Sequence, residues 1–156
     1  MPRGTLVRRT RRGTFEVRLP EYGRWLLGSL LPQLRTLLTE GDTSAPQLRR
    51  LFPAAYPDDP ERDQEFRRLV REDLVAGRLA AITELEGTLD ARELTRDQVM
   101  AWMGAVNSVR LVLGTMLDVT EQMDLSHLDA DHPDLPAYAS YDFLSYLLDE
   151  LVTAVS

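Results

Sequence analysis

The chain has 156 residues, 44% of them apolar, and no Cys, which fits one domain whose core needs neither disulfides nor thiolate metal sites. All eighteen basic side chains are Arg, so lysine Schiff-base and P-loop phosphate chemistry are excluded, and any anion contact is forked and permanently charged. The net charge of −7 is sorted along the chain: residues 1–24 carry seven Arg against Glu16 and Glu21, residues 25–110 eleven Arg against fourteen acids, and residues 111–156 nine acids and no basic side chain. A basic head and an acidic tail imply a two-poled surface for docking partners.

Thr5–Thr10 and Thr14–Leu19 read as two strands, with Phe15, Val17 and Leu19 alternating against Glu16 and Arg18 and with Gly13 supplying the tight connection. A lone hairpin is marginal in water, so its apolar face should rest on a helix. Arg8, Arg9, Arg11 and Arg12 cluster at this hairpin, where they can meet an acidic partner surface or simply keep an edge strand solvated. The same arginines precede the apolar Trp25–Leu31, but the alternating Phe15–Leu19, Glu21 and Arg24 intervene, so an export signal is not expected. No apolar run approaches the ~20 residues of a membrane span. A soluble cytoplasmic protein is the reading.

Leucines at helical spacing predict a helix over 21–39, kinked at Pro32, followed by a polar linker at Gly41–Pro46 and a short helical piece at Pro46–Phe52. Asp59-Pro60-Glu61 is a helix start, and the helix should run to Glu86 and stop at Gly87, with Phe66, Leu69, Val70, Leu74, Ala81 and Leu85 as its inward stripe. Thr95-Arg96-Asp97-Gln98 fits a capping box opening a helix over 96–117, apolar on several faces and so central. After an Asp-rich loop at Thr120–Pro136, a last helix at 136–154 turns Tyr141, Leu144, Leu148, Leu151 and Val155 inward. The expected fold is mainly α: one domain over 1–156, with a β-hairpin at 5–19 and a bundle of about four main helices over 21–155.

Few residues suggest chemistry. His127 and His132 lie among Asp124, Asp129, Asp131 and Asp134, but without the oxygen-ligand spacing and glycine of an EF-hand, so a solvated acidic loop is expected and no metal or cofactor. Asn107, Arg110 and Asp142 interrupt apolar helices. Sealed, they form a polar network that fixes packing, with Arg110 buried against the carboxylate of Asp142 or Asp73; open to a pocket, they become a ligand-binding or enzymatic site. Trp102, Tyr141 and Tyr146 read as core, and Ser108 and Ser140 lack His–Asp partners at a recognisable spacing. No helix-turn-helix with a basic recognition helix is present, so sequence-specific DNA reading is not expected.

Three blocks carry a resemblance: Leu51-Phe52-Pro53-Ala54-Ala55-Tyr56 with Asp58-Asp59 and Glu65-Phe66-Arg67-Arg68-Leu69, then the run Trp102–Thr115, then Tyr138-Ala139-Ser140-Tyr141-Asp142-Phe143-Leu144. With the Arg-rich hairpin they resemble the actinobacterial AosR family over nearly the whole chain. The resemblance implies a transcription regulator tied to oxidative stress, with no catalytic residues. This chain departs from it in having no Cys, which rules out a thiol switch. The expectation is therefore a non-enzymatic regulatory or adaptor module that binds a protein partner, with the transcription machinery as the partner class. A homodimer joining basic to acidic ends is a further possibility.

Overall fold

Gly13, at φ +84°, turns the chain back on itself and opens the fold with an antiparallel hairpin. The computed structural model describes residues 5–40, 46–52, 54–117 and 133–156. Strands β1 (Val7–Arg9) and β2 (Phe15–Val17) pair Val7 with Val17 and Arg9 with Phe15. They are shorter than the sequence suggests because Thr10 and Thr14 close the turn on each other, backbone to backbone at 2.9 Å and hydroxyl to hydroxyl at 2.7 Å. Helices α1 (Glu21–Glu40), α2 (Pro60–Gly87), α3 (Arg96–Met116) and α4 (Leu135–Val155) follow, with a 3-10 turn at Pro46–Leu48. A two-residue strand β3 (Glu93–Leu94), not foreseen from sequence, adds to β2 and makes a three-stranded sheet.

The helix starts are those the sequence encodes. Asp59 caps α2 by accepting from Arg62 N at 3.2 Å, with Pro60 in the first turn. Thr95 and Gln98 form the reciprocal capping box at the head of α3. α1 runs from Glu21 through Pro32 to Glu40, as its leucine spacing predicts. One expectation changes. Gly87 is the last residue of α2 rather than a left-handed stop, and Thr88 closes the helix, its hydroxyl donating to Glu84 O at 2.8 Å.

α3 is the hub, packed against α1, α2, α4, β3 and the 3-10 turn. By length and composition it is apolar enough to cross a membrane, and neighbours on several sides account for that composition. Trp102, Val99 and Val106 on α3 join Leu27 and Leu31 of α1, Ile82 and Leu85 of α2, and Leu144, Leu147 and Leu151 of α4 in one core. The hairpin's apolar face, Val7, Phe15, Val17 and Leu19, belongs to the same core. The Gly41–Pro46 linker apart from Pro46, and the acidic loop with His127 and His132, lie outside the described residues.

Trp102 is fully buried and donates its indole N–H to Thr88 Oγ1 at 2.7 Å, tying the middle of the bundle to the end of α2. Trp102→Ala is expected to cost about 3–5 kcal/mol of folding stability. Thr88→Val, which leaves the indole N–H without its acceptor, is expected to cost about 1–3 kcal/mol. Denaturant unfolding of both variants measures this, and a wild-type midpoint in either would be inconsistent with the assigned contact.

Candidate docking surfaces

On the wet face of the hairpin the arginines meet carboxylates. Arg8 Nη2 lies 2.8 Å from Glu16 Oε2, Arg18 Nη2 lies 3.4 Å from Glu16 Oε1, and Arg12 Nη2 reaches both oxygens of Glu93 at 3.1 Å. Glu93 comes from β3, which is why sequence alone did not place it here. The hydrogen bond from Arg8, then its charge, holds the Glu16 carboxyl below its ordinary pKa. Arg9 stands 6.0 Å from the centre of the Phe15 ring, and Arg11 is exposed at the turn. The Arg8 and Arg12 side chains are 69% and 76% exposed. Pairs this exposed to water and salt contribute little to stability, so a partner's carboxylates can replace the internal ones at little cost.

The polar group expected at Asn107, Arg110, Asp142 and Asp73 separates into different neighbourhoods. Arg110 is half-buried and donates to Asn107 Oδ1 and Tyr141 Oη, both at 3.1 Å, with its guanidinium 5.7 Å from the Tyr141 ring centre. An amide and a phenol thus hold it, in place of the expected Asp142 or Asp73 carboxylate. Asp142 is exposed, one residue and so ~100° around α4 from Tyr141. Asp73 is exposed on α2, beside a cleft of about 260 Å³ at the α2–α3 junction that Gly77, Arg78, Gly104 and Ser108 also line. There Arg78 Nη1 donates to the buried Ser108 Oγ at 2.9 Å, and Ser108 donates on to Gly104 O at 2.8 Å. Burial lowers the Arg78 pKa. This second polar contact had no signal in sequence, since Ser108 reads there as a helix residue without partners.

α2 holds the largest departure from expectation. Its buried residues are Ile82 and Leu85, and between Pro60 and Ala81 no described residue is fully buried. Phe66, Leu69 and Leu74, expected inward, are 40%, 76% and 45% exposed. The first turns are held instead by the preceding segment. Asp63 accepts from Ala55 N at 2.7 Å and Tyr56 N at 3.1 Å, while Arg67 donates to Asp63 at 2.9 Å and to Phe52 O at 3.0 Å. Periodicity marked α2 as amphipathic but could not say that its free half lacks a cover. A separate apolar cleft of about 280 Å³ lies between α1 and α3, where Leu30, Leu34, Leu37, Val109, Leu113 and Met116 meet.

Comparison with known proteins supplies the family. A model described as a domain of unknown function, DUF2017, matches residues 4–155. The chain belongs to the DUF2017 family. The AosR protein of Mycobacterium leprae is 32% identical over 127 residues, covering 70% of this chain and 58% of that protein. The oxidative stress regulators AosR of Mycobacterium tuberculosis and Mycobacterium bovis are each 31% identical over 124 residues, covering 69% of this chain and 56% of their own length. The resemblance read from the sequence is thereby borne out. The chain spans a little over half the length of these relatives. No solved structure matches it.

Two expectations follow from these contacts. Arg110→Ala loses two hydrogen bonds to neutral groups and should cost about 1–3 kcal/mol, short of the ~3–5 kcal/mol for breaking a buried ion pair; chemical unfolding separates the two. The carboxyl of Asp63 is held below its ordinary pKa, first by the Tyr56 amide and then by the Ala55 amide and Arg67, against the opposing effect of burial. A depressed folded pKa contributes stability above the unfolded value, near 3.9, that is lost as pH falls through the folded one. The stability difference between wild type and Asp63→Asn should therefore shrink below about pH 4. A difference independent of pH between 2 and 6 would count against the tether.

Proposed function

We propose that this chain is a non-enzymatic regulatory or adaptor module of the stress response, working in the cytoplasm by docking a protein partner, with the transcription machinery as the partner class. The observation that carries the reading is the hairpin, which presents Arg8, Arg9, Arg11 and Arg12 to solvent from a three-stranded sheet. The names of the relatives, oxidative stress regulators, support the regulatory half of it. The polar residues inside the bundle support the non-enzymatic half, since Arg110 and Arg78 spend donors on packing neighbours. Redox sensing through a thiol is closed to these 156 residues, which contain no Cys.

Charged rim contacts raise association rate and fade with salt. A variant with Arg8, Arg9, Arg11 and Arg12 changed to Gln tests the docking role by affinity capture from native lysate with mass spectrometry, at low and high salt. Wild type should retain a protein partner that the variant loses at low salt, with the two converging at high salt. Duplex DNA should bind weakly and without sequence preference. Equal recovery by both proteins at low salt would remove the hairpin's role, and tight promoter-specific DNA binding would replace the adaptor with a direct DNA reader.

A further inference from the structure

We propose that the free half of α2 is a self-association seam, on which a second copy of this chain lies antiparallel. Arg62, Phe66, Leu69, Asp73, Ala76 and Ala80 follow one another at spacings of four and three residues, the repeat that keeps a stripe on one side of a helix. All six are exposed, with Leu69 the most open of the large apolar side chains. The opposite side of α2 makes the contacts with the rest of the chain, through Arg67, Arg78, Ile82 and Leu85.

The order along the stripe identifies the occupant. From Arg62 to Asp73 it reads cation, apolar, apolar, anion. Laid antiparallel on itself about a two-fold axis between Arg67 and Arg68, the stripe sets Phe66 of each copy on Leu69 of the other and Arg62 on Asp73. That arrangement is isologous, so each contact is made twice. Among the described residues neither Arg62 nor Asp73 has an ionic partner within its own chain; Arg62 lies 4.4 Å over the Tyr56 ring. A partner of one charge sign would satisfy one of these ions and repel the other. A reversed copy satisfies both. Ala76 and Ala80 continue the stripe with small side chains that let a neighbouring backbone approach.

The segment Arg62–Asp73 is only ~16 Å long, which gives less than the standard interface of about 800 Å² per partner. The dimer should therefore exchange with monomer in the micromolar range rather than being obligate. The seam and the Arg hairpin are different surfaces, so this proposal does not rest on the adaptor reading.

The test is sedimentation equilibrium of the full chain over a concentration series, with circular dichroism confirming that each variant is folded. Wild type should dimerise, and Leu69→Arg should weaken the dimer about tenfold or more. Arg62→Asp and Asp73→Arg, each placing like charges together twice, should each be monomeric where wild type is dimeric. The double variant, and an equimolar mixture of the two single variants, should recover the dimer because both restore opposite charges. A wild type that stays monomeric up to millimolar concentration would overturn the proposal, leaving a different protein as the cover of this face. A dimer indifferent to Leu69→Arg, or no recovery in the folded mixture, would overturn it equally.

Discussion

Helix α3 has to hide apolar side chains on several faces, and that requirement positions the other elements. Val99, Trp102, Ala105, Val112 and Gly114, all buried, spread over roughly 200° of its circumference, more than one neighbour can cover, so α1, α2 and α4 each take a share and the hairpin closes onto the same core. Small residues set how near the neighbours come. A Cβ at Gly114 would meet the Tyr141 ring at 2.8 Å and Arg50 Nη1 at 2.9 Å. Because Gly114 brings Tyr141 in so closely, the phenol can reach Arg110 one helical turn earlier on α3.

What the sequence disclosed follows from what local patterns can encode. Helix starts rest on contacts within four residues, so Asp59 and Thr95 announced α2 and α3 directly. β3 is two residues long, too short to alternate, and its existence depends on Val17 N finding Arg92 O across the fold at 2.8 Å. Arg110 illustrates the same limit. Its position between Val109 and Leu111 signals a polar group needing partners, but electrostatics alone favours a carboxylate, and the choice of Asn107 and Tyr141 is made by helix packing. For α2, the apolar repeat reveals that a stripe exists without revealing whether the bundle has a surface left to cover it.

The sorted charge is less polar in space than along the chain. β1 rests on α4, and Leu6 N donates to Glu150 Oε1 at 2.6 Å, so head and tail meet inside one molecule. Arg96 reaches Val155 O at 3.2 Å, a second link to the end of α4. Glu16 and Glu93 sit among the hairpin arginines, and Asp90 lies 3.3 Å from Arg24. The field a partner meets at short range is therefore that of loosely paired guanidiniums. Steering beyond about one Debye length depends on the net sum, which includes the five acids of residues 118–132, outside the described residues.

α2 joins these themes, because its exposed half is fixed at both ends. Toward the C-terminus, Ile82 and Leu85 enter the core and Glu86 pairs with Arg35 of α1. Toward the N-terminus, the Asp59 cap, the Asp63 carboxylate on two backbone amides and the Arg67 bond to Phe52 O hold the first turns to the preceding segment. An isolated helix of this length would fray in water. Anchored this way, the stretch between is kept helical without being buried, so its apolar stripe stands in solvent already in the shape that a partner requires. Ordering costs of roughly 0.5–1.5 kcal/mol per immobilised side chain remain on binding, but the backbone's share has been met in folding. A short stripe on such a helix can therefore bind more tightly than its area alone would suggest.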